Sequence, residues 1–218
     1  MVRSAERGAS SMTIHVAGRR RTPDSLGRAF PGAEIVDVTS RAEEPWVRLS
    51  PFFPHGGIPV PFSGGLTGRS VEGVWQALKV FRDTDVDLSK LDVTTMRGLK
   101  RTVRRYGPVL GHRAGPSGER LLGYEAARRL IYLPSYRWVL ENRVADLVSR
   151  LRETAAETDV VLLDHTTNGD VADLATPLSH AALLRSCVEG RRPSEEEPPG
   201  EAPGPAAEPE PGEGVRTW

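Results

Sequence analysis

Three side chains that could handle protons and charge recur at helical spacing within residues 70–82: Glu72, Gln76 and Lys79. Positions i, i+4 and i+7 share one face of an α-helix, so a carboxylate, an amide and an amine would project together, with Trp75 beside them. Such a face suits the wall of a pocket for a polar ligand that carries an aromatic ring. The alternative is structural, because Glu near the start of a helix and Lys near its end both interact favourably with the helix dipole. Taken alone, this helix favours the structural alternative.

A second polar group follows an apolar run of strand length, DVVLLD, which predicts a strand buried on both faces. Asp164 ends this run, and Asn168 and Asp170 follow it in the polar segment 164–170. The carboxyl end of a buried strand is a common position for a catalytic or ligand-binding acid. The alternative is that Asp164 caps the turn and that Asn168 with Gly169 supplies its positive φ. The two interpretations are balanced.

Residues 94–106 predict a basic helix whose arginines could bind phosphate oxygens through the bidentate guanidinium. Arg104 on this helix and His112 in the loop after it are the candidate phosphate contacts. A charge run on a helix is more often a solvated face, and that remains the better interpretation for most of the run. The histidines are too dispersed for a metal site, and Walker, GxGxxG and GxSxG motifs are absent. We therefore expect no metal and no cofactor.

These residues must be positioned by a small sheet and several helices. The first part of the chain predicts a β-α-β unit, with strands over 12–18 and 33–40 and a short helix over 22–32. The loop-rich segment 46–68 contains aromatic residues, which indicates that it packs on the domain. Further helices are predicted over 121–133, 133–157 and 175–190. The fold class that follows is α+β, in a single helix-rich domain with a small β-sheet.

Composition sets the boundaries of that domain. Only 38% of the residues are hydrophobic, and the Pro- and Glu-rich segment 191–218 has almost no aliphatic side chains, so it predicts a disordered acidic tail. Residues 1–11 predict a flexible N-terminus, which leaves 12–190 as the folded domain. The 29 basic and 29 acidic residues balance, which argues against an electrostatically driven nucleic-acid binder. With one cysteine, Cys187, and no apolar run of membrane-spanning length, the sequence predicts a soluble cytoplasmic protein.

Two segments resemble the opening signature of the NADAR superfamily. Residues 49–54 read LSPFFP and residues 70–79 read SVEGVWQALK, similar to the family's LSNFYP-like loop and its SVEHAYQALK-like helix. The resemblance covers about residues 46–150 and is specific across the second segment. The chain departs from the family pattern at Pro51, Gly73 and Trp75, and the family's C-terminal signature is not recognisable.

The resemblance implies a NADAR-like fold and an N-glycosidase that acts on ADP-ribose-related or other ribosyl N-glycosides. Breaking the C1′–N bond builds positive charge on the ribose and negative charge on the leaving base, which acid–base groups can stabilise. Glu72 would be the general acid or base, Lys79 the nucleophile or electrostatic partner, and Asp164 a further catalytic carboxylate. The implied ligand contacts are Phe52, Phe53, Trp75, Gln76, Arg104, His112, Asn168 and Asp170. Lysine is rare here, with three lysines against 26 arginines, and only lysine offers an amine nucleophile.

Two alternatives belong to other classes of function. A non-catalytic module could bind ADP-ribose or another nucleotide in the same pocket. A nucleic-acid binder could use the basic helix, with modified nucleic acid as its partner, and salt would weaken that binding steeply. No membrane partner is expected.

Overall fold

The computed structural model describes residues 13–196. The predicted flexible N-terminus and residues 197–218 of the predicted disordered tail lie outside this range. The α-helices are α1 (Pro23–Ala29), α2 (Val71–Leu78), α3 (Val103–Tyr106), α4 (Tyr124–Ala127), α5 (Leu133–Asn142), α6 (Ala145–Glu157) and α7 (His180–Val188). The strands are β1 (Ile14–Gly18), β2 (Glu34–Asp37), β3 (Ile58–Pro59), β4 (Thr67–Gly68), β5 (Lys79–Phe81), β6 (Val109–Arg113), β7 (Leu121–Leu122) and β8 (Val160–Asp164).

The β-α-β start and the buried strand are confirmed, and they form one parallel sheet. Its order is β1-β8-β2, so the most apolar strand lies in the middle. All five residues of β8 are buried, which explains why its sequence is a continuous apolar run with no alternation. Strands β1 and β8 are parallel, so both end at the same edge of the sheet. There, Gly18 at the end of β1 is the register partner of Asp164 at the end of β8.

The helix predicted over 70–82 is shorter than expected, and this changes the position of Lys79. Helix α2 ends at Leu78, and Lys79 begins strand β5. Strand β5 pairs antiparallel with β6, so backbone pairing of Val80 with Gly111 overrides the helical pattern of the sequence. Lys79 therefore does not share a helix face with Glu72 and Gln76 as the spacing predicted.

Most of the predicted basic helix is also absent. Only α3 is helical within residues 94–106, and Gly98 lies before it with a φ of 73°. A left-handed glycine does not continue an α-helix, so Arg97 and Arg101 lie on irregular chain and only Arg104 and Arg105 lie on α3. His112 lies in strand β6, where a loop was predicted.

The predicted helices over 121–133 and 133–157 divide at a different place. Helix α4 continues through a π-helical turn, Arg128–Tyr132, into α5, so Pro134 does not end it. Proline is accepted here because it lies in the first turn of α5. The break comes instead at Arg143, between α5 and α6. The last helix begins at His180, later than predicted, with Ser179 as its N-cap.

The main core lies where α2, α5, α6 and α7 pack around the buried strand. Val74, Ala77 and Leu78 of α2 are completely buried, together with Val139 of α5 and Leu184 of α7. The architecture is α+β, as predicted, in a single domain with three small sheets among the described residues. Within residues 13–196, no helix has the length and apolar character needed to cross a bilayer.

The first residues of the predicted tail belong to the described domain. Residues 191–196 have no regular secondary structure, but they lie against α5 and the π-helical turn. Arg192 pairs with Glu141, and Glu195 pairs with Arg137 at 2.9 Å. These contacts join the first residues of the predicted tail to the domain.

Candidate active site

Helix α2 carries three of the predicted site residues, and its first turn is held firmly. The Oγ of the N-cap Ser70 accepts a hydrogen bond from the Gly73 N–H at 3.0 Å. The Glu72 N–H donates to the Pro51 carbonyl at 3.0 Å, which joins the helix to the preceding loop. Glycine is needed at position 73 because a Cβ there would lie 2.8 Å from the Lys90 carbonyl oxygen. These contacts fix the direction in which Glu72 leaves the helix.

Gln76 connects Glu72 to the chain that follows the helix. Its Nε2 donates to Glu72 Oε1 at 3.0 Å, and its Oε1 accepts from the Arg101 N–H at 2.9 Å. Gln76 is buried, whereas Glu72 is partly exposed. Within the described part of the chain, no other hydrogen bond to the Glu72 carboxylate is found, so Oε2 can accept one from a ligand. Gln76 therefore orients the acid.

Lys79 and His112 face each other across strands β5 and β6. Their Cα atoms are register partners, and the His112 ring lies 3.8 Å from the Trp75 ring, centroid to centroid. The Lys79 Nζ lies 5.9 Å from the centroids of both Trp75 and Phe81. Burial lowers the pKa of His112 well below its usual value, and the charges of Lys79 and Arg101 add to this effect, so His112 is neutral at pH 7. Glu72, Trp75, Gln76, Lys79 and His112 are called the polar cluster below.

Arg101 supports this cluster and was not predicted. Its guanidinium donates to the carbonyls of Gln76, Lys79 and Asp85, and it lies over the Phe81 ring at 5.0 Å. The side chain thus holds the bend at which α2 becomes β5. In the sequence, Arg101 is one of several basic residues in a row, and nothing there distinguishes a buried arginine from its exposed neighbours.

Tyr132, also not predicted, relates the polar cluster to the end of strand β8. It comes from the π-helical turn, a feature that often marks functional sites, and its ring meets Trp75 edge-on at 5.8 Å. Burial raises the pKa of Tyr132 well above its usual value, and the carboxylates of Glu72 and Asp164 raise it further. The Tyr132 hydroxyl is thus protonated at neutral pH and can donate a hydrogen bond.

The Asp164 carboxylate binds to residues at the start of helix α7. Its Oδ2 accepts from the Ser179 Oγ at 2.8 Å, from the His180 Nδ1 at 3.0 Å and from the Ala181 N–H at 3.3 Å. Its Oδ1 accepts from the N–H of His165 at 2.6 Å. Burial opposes ionisation of both partners, but the attraction within the pair prevails, so the pKa of Asp164 is lowered and that of His180 is raised. These bonds favour the structural interpretation of Asp164.

The loop after Asp164 uses its polar residues to hold its own shape. Asn168 Nδ2 donates to the carbonyls of Asp173 and Thr176, and its Oδ1 accepts from the Asp170 N–H at 2.9 Å. Asp170 is exposed, and its Oδ1 accepts from the Ala172 N–H. Arg128, completely buried, also donates to the Asp173 and Thr176 carbonyls and stacks on Tyr124. The predicted ligand contacts Asn168 and Asp170 therefore serve the loop itself.

The remaining predicted contacts lie around the edge of this region. Phe52 is half-buried, and the Lys100 Nζ lies 5.5 Å from its ring centroid. Phe53 packs against His55 at 4.8 Å. Arg104 is exposed on the short helix α3, and no contact joins it to the polar cluster among the described residues.

Two surface clefts lie elsewhere, on either side of Phe62. Each has a volume of about 350 Å³, and neither is lined by a predicted site residue. Between residues 13 and 196, no group of three or more His, Cys, Asp or Glu side chains is arranged to hold a metal ion.

The chain belongs to a family of unknown function (DUF6939), whose model matches residues 18–184. This match overturns the assignment to the NADAR superfamily, which was wrong. No curated protein matches the chain. The separate prediction from spacing is also wrong for Lys79, which begins strand β5 and does not share a helix face with Glu72.

Proposed function

We propose that this DUF6939 protein hydrolyses N-glycosidic bonds of ribosyl compounds, including ADP-ribose-related N-glycosides, with Glu72 as its general acid or base. The observation that carries the proposal is the state of the Glu72 carboxylate. One oxygen is held by Gln76 at 3.0 Å, while the side chain remains partly exposed beside buried aromatic rings. A carboxyl group that is oriented but not saturated can still exchange a proton with a substrate.

The surroundings of Glu72 suit an aromatic leaving group. Trp75 and Tyr132 offer two ring surfaces that meet edge-on at 5.8 Å, against which a planar base could pack. Lys79 lies behind them, and a positive charge there would stabilise the negative charge that develops on the departing base. The neutral His112 beside Trp75 adds no competing charge.

The role of Asp164 is the part of the original hypothesis that the geometry weakens. A hydrolase with two carboxylates needs both of them directed at the substrate. Both oxygens of Asp164 accept hydrogen bonds from residues at the end of β8 and the start of α7. We therefore assign proton transfer to Glu72 alone and propose that the Tyr132 hydroxyl, which its raised pKa keeps protonated, donates only a hydrogen bond to the substrate.

A non-catalytic module that binds a nucleotide is the second candidate. It is favoured because both oxygens of Asp164 are bound within the protein, and a site with one available carboxylate can bind a ribosyl ligand without cleaving it. The two candidates share the polar cluster and differ only in turnover.

Release of free base from a panel of ribosyl N-glycosides, ADP-ribosylated guanosine among them, tests the proposal. Glu72→Gln keeps an oxygen for Gln76 and removes only the titrating group, so turnover should fall at least about 100-fold with ligand affinity within about tenfold. Glu153→Gln, at an exposed position of α6, is the matched control and should have no effect. Ligand binding without base release from any substrate would establish the binding module instead. A protein that neither binds these compounds nor releases base from them would refute both candidates.

Lys79→Arg separates electrostatic from covalent participation. Arginine keeps the positive charge but cannot form an imine with an opened sugar. If turnover survives, lysine acts only through its charge. If turnover is lost while binding is kept, borohydride should trap a sugar adduct on Lys79 in the wild type. With only Lys90 and Lys100 as other lysines, peptide mapping assigns the adduct directly.

A further inference from the structure

One apolar surface of the domain is a cleft formed by the hairpin β3–β4 and helix α5. It has a volume of about 350 Å³, and its walls include Pro61, Phe62, Pro134 and Trp138. Phe62 is 54% exposed and is held at a φ of 57°, a left-handed conformation that is unusual for an aromatic residue. Exposed rings and prolines of this kind form the grooves in which proline-rich segments dock in an extended conformation. This surface is called the proline–tryptophan cleft below.

The described chain ends at the rim of this cleft. Glu195 pairs with Arg137 at 2.9 Å, and Arg192 pairs with Glu141 at 3.1 Å. Both Arg137 and Glu141 line the proline–tryptophan cleft. A third contact, from Arg129 Nη1 to the Ser194 carbonyl at 3.1 Å, holds the same stretch against the domain. The segment that follows Glu196 therefore starts beside the cleft and needs no linker to reach it.

The sequence of that following segment matches the chemistry of the cleft. Residues 197–205 read EPPGEAPGP and contain Pro198, Pro199, Pro203 and Pro205. In the extended polyproline conformation nine residues span about 28 Å, which exceeds the breadth of a cleft of this volume. Because the segment is joined to the domain at the rim, its effective concentration at the cleft is on the order of millimolar, so weak intrinsic affinity is sufficient.

We infer that the proline–tryptophan cleft is the docking site of the protein's own segment 197–205. The ion pairs of Arg137 and Glu141 set the direction from which the segment enters, and the prolines pack against Phe62 and Trp138. The inference is independent of the polar cluster and of the proposed hydrolase, since none of the cleft residues belongs to that cluster.

Proteolysis of the full chain by a protease that cuts after glutamate tests the inference. Cleavage after Glu201 should be at least about tenfold slower in the wild type than in a free peptide of residues 197–212. Phe62→Asn removes the ring and suits the left-handed backbone, so it should abolish most of this protection. Met96→Ser is the matched control, because Met96 is similarly exposed at 52% but lies outside the cleft. The Met96→Ser protein should be cleaved after Glu201 at the wild-type rate.

A second variant keeps the test independent of domain stability. The double variant Pro198→Gly/Pro199→Gly changes only the segment, so the domain should unfold at the wild-type temperature. Its segment should be cleaved after Glu201 about as fast as a free peptide of the same variant sequence. Equal cleavage of the wild type and the free peptide would overturn the inference. Protection that rises with protein concentration, with a dimer seen by sedimentation, would also overturn it, because the occupant would then be the segment of a second copy.

Discussion

Replacing Asp164 by Asn tests whether the buried acid at the end of β8 anchors helix α7. An asparagine can turn its oxygen towards Ser179, His180 and Ala181, but its amide group then faces the N–H of His165, and the negative charge is gone. Removing one member of a buried ion pair costs about 3 kcal/mol or more. For a domain of this size that loss corresponds to a melting temperature lower by about 6–12 °C.

The stability lost in Asp164→Asn should depend on pH. The raised pKa of His180 contributes stability that is complete below about pH 6.5, the usual pKa of an unfolded histidine, and that disappears as pH rises through the folded value. The lowered pKa of Asp164 contributes stability that is present above about pH 4 and lost as pH falls through the folded value. The difference between wild type and Asp164→Asn should therefore be largest between about pH 4 and 6.5 and shrink at higher pH.

Urea unfolding of both proteins at pH 5.5, 7.0 and 8.5 measures this difference. The lowered pKa values of His55 and His112 have no contribution from Asp164, so they act alike in both proteins and cancel in the comparison. His165 does not cancel, because burial lowers its pKa and the charge of Asp164 opposes that shift only in the wild type. Asp170→Asn is the control, because Asp170 is exposed in the same loop and its change should stay within about 0.5 kcal/mol. A loss below about 1 kcal/mol for Asp164→Asn, or a difference that does not vary with pH, would refute the anchoring role.

Two further substitutions test how the site is supported. Gly73→Ala should destabilise the protein by about 1–3 kcal/mol, since its Cβ would lie 2.8 Å from the Lys90 carbonyl, whereas Gly27→Ala in α1 meets nothing within 4 Å and should be neutral or stabilising. Arg101→Lys should cost about 2 kcal/mol, because lysine cannot reproduce the forked hydrogen bonds, while Arg104→Lys on the exposed side of α3 should change little. Thermal unfolding measures the loss of stability in each variant. If a test variant and its control lost the same stability, the packing described for that test residue would be contradicted.

The sequence predicted elements whose signal is local. Strand β8 was recognisable because four consecutive apolar residues fit a strand buried on both faces, and they occupy the centre of the parallel sheet. The N-cap of α2 was recognisable because Ser70 precedes an apolar run with helical spacing, and its hydroxyl does cap the helix. In both cases the residues that decide the structure are neighbours in the chain.

The errors at Lys79 and Arg101 share one cause, which is contact between distant segments. The spacing of Glu72 and Lys79 fits a helix, but the pairing of β5 with a strand some thirty residues later ends that helix before Lys79. Arg101 looks like part of a solvated charge run until the carbonyls of Gln76 and Lys79 are brought around it. The sequence does not encode such contacts as a pattern, because they depend on which backbone atoms the fold leaves unpaired.

The same reasoning separates the residues that make the site from those that hold it. Gln76 and Arg101 form a chain of hydrogen bonds from the Glu72 carboxylate to the backbone carbonyl of Lys79, so the acid is tied to the start of strand β5 although it lies on helix α2. Asp164 has no such connection to Glu72 in the described contacts, and its bonds run to α7 instead. An acid that is oriented by its neighbours and has an oxygen open to a ligand suits proton transfer, whereas the bonds to both oxygens of Asp164 suit a structural role. The structure therefore separates two carboxylates that the sequence had treated alike.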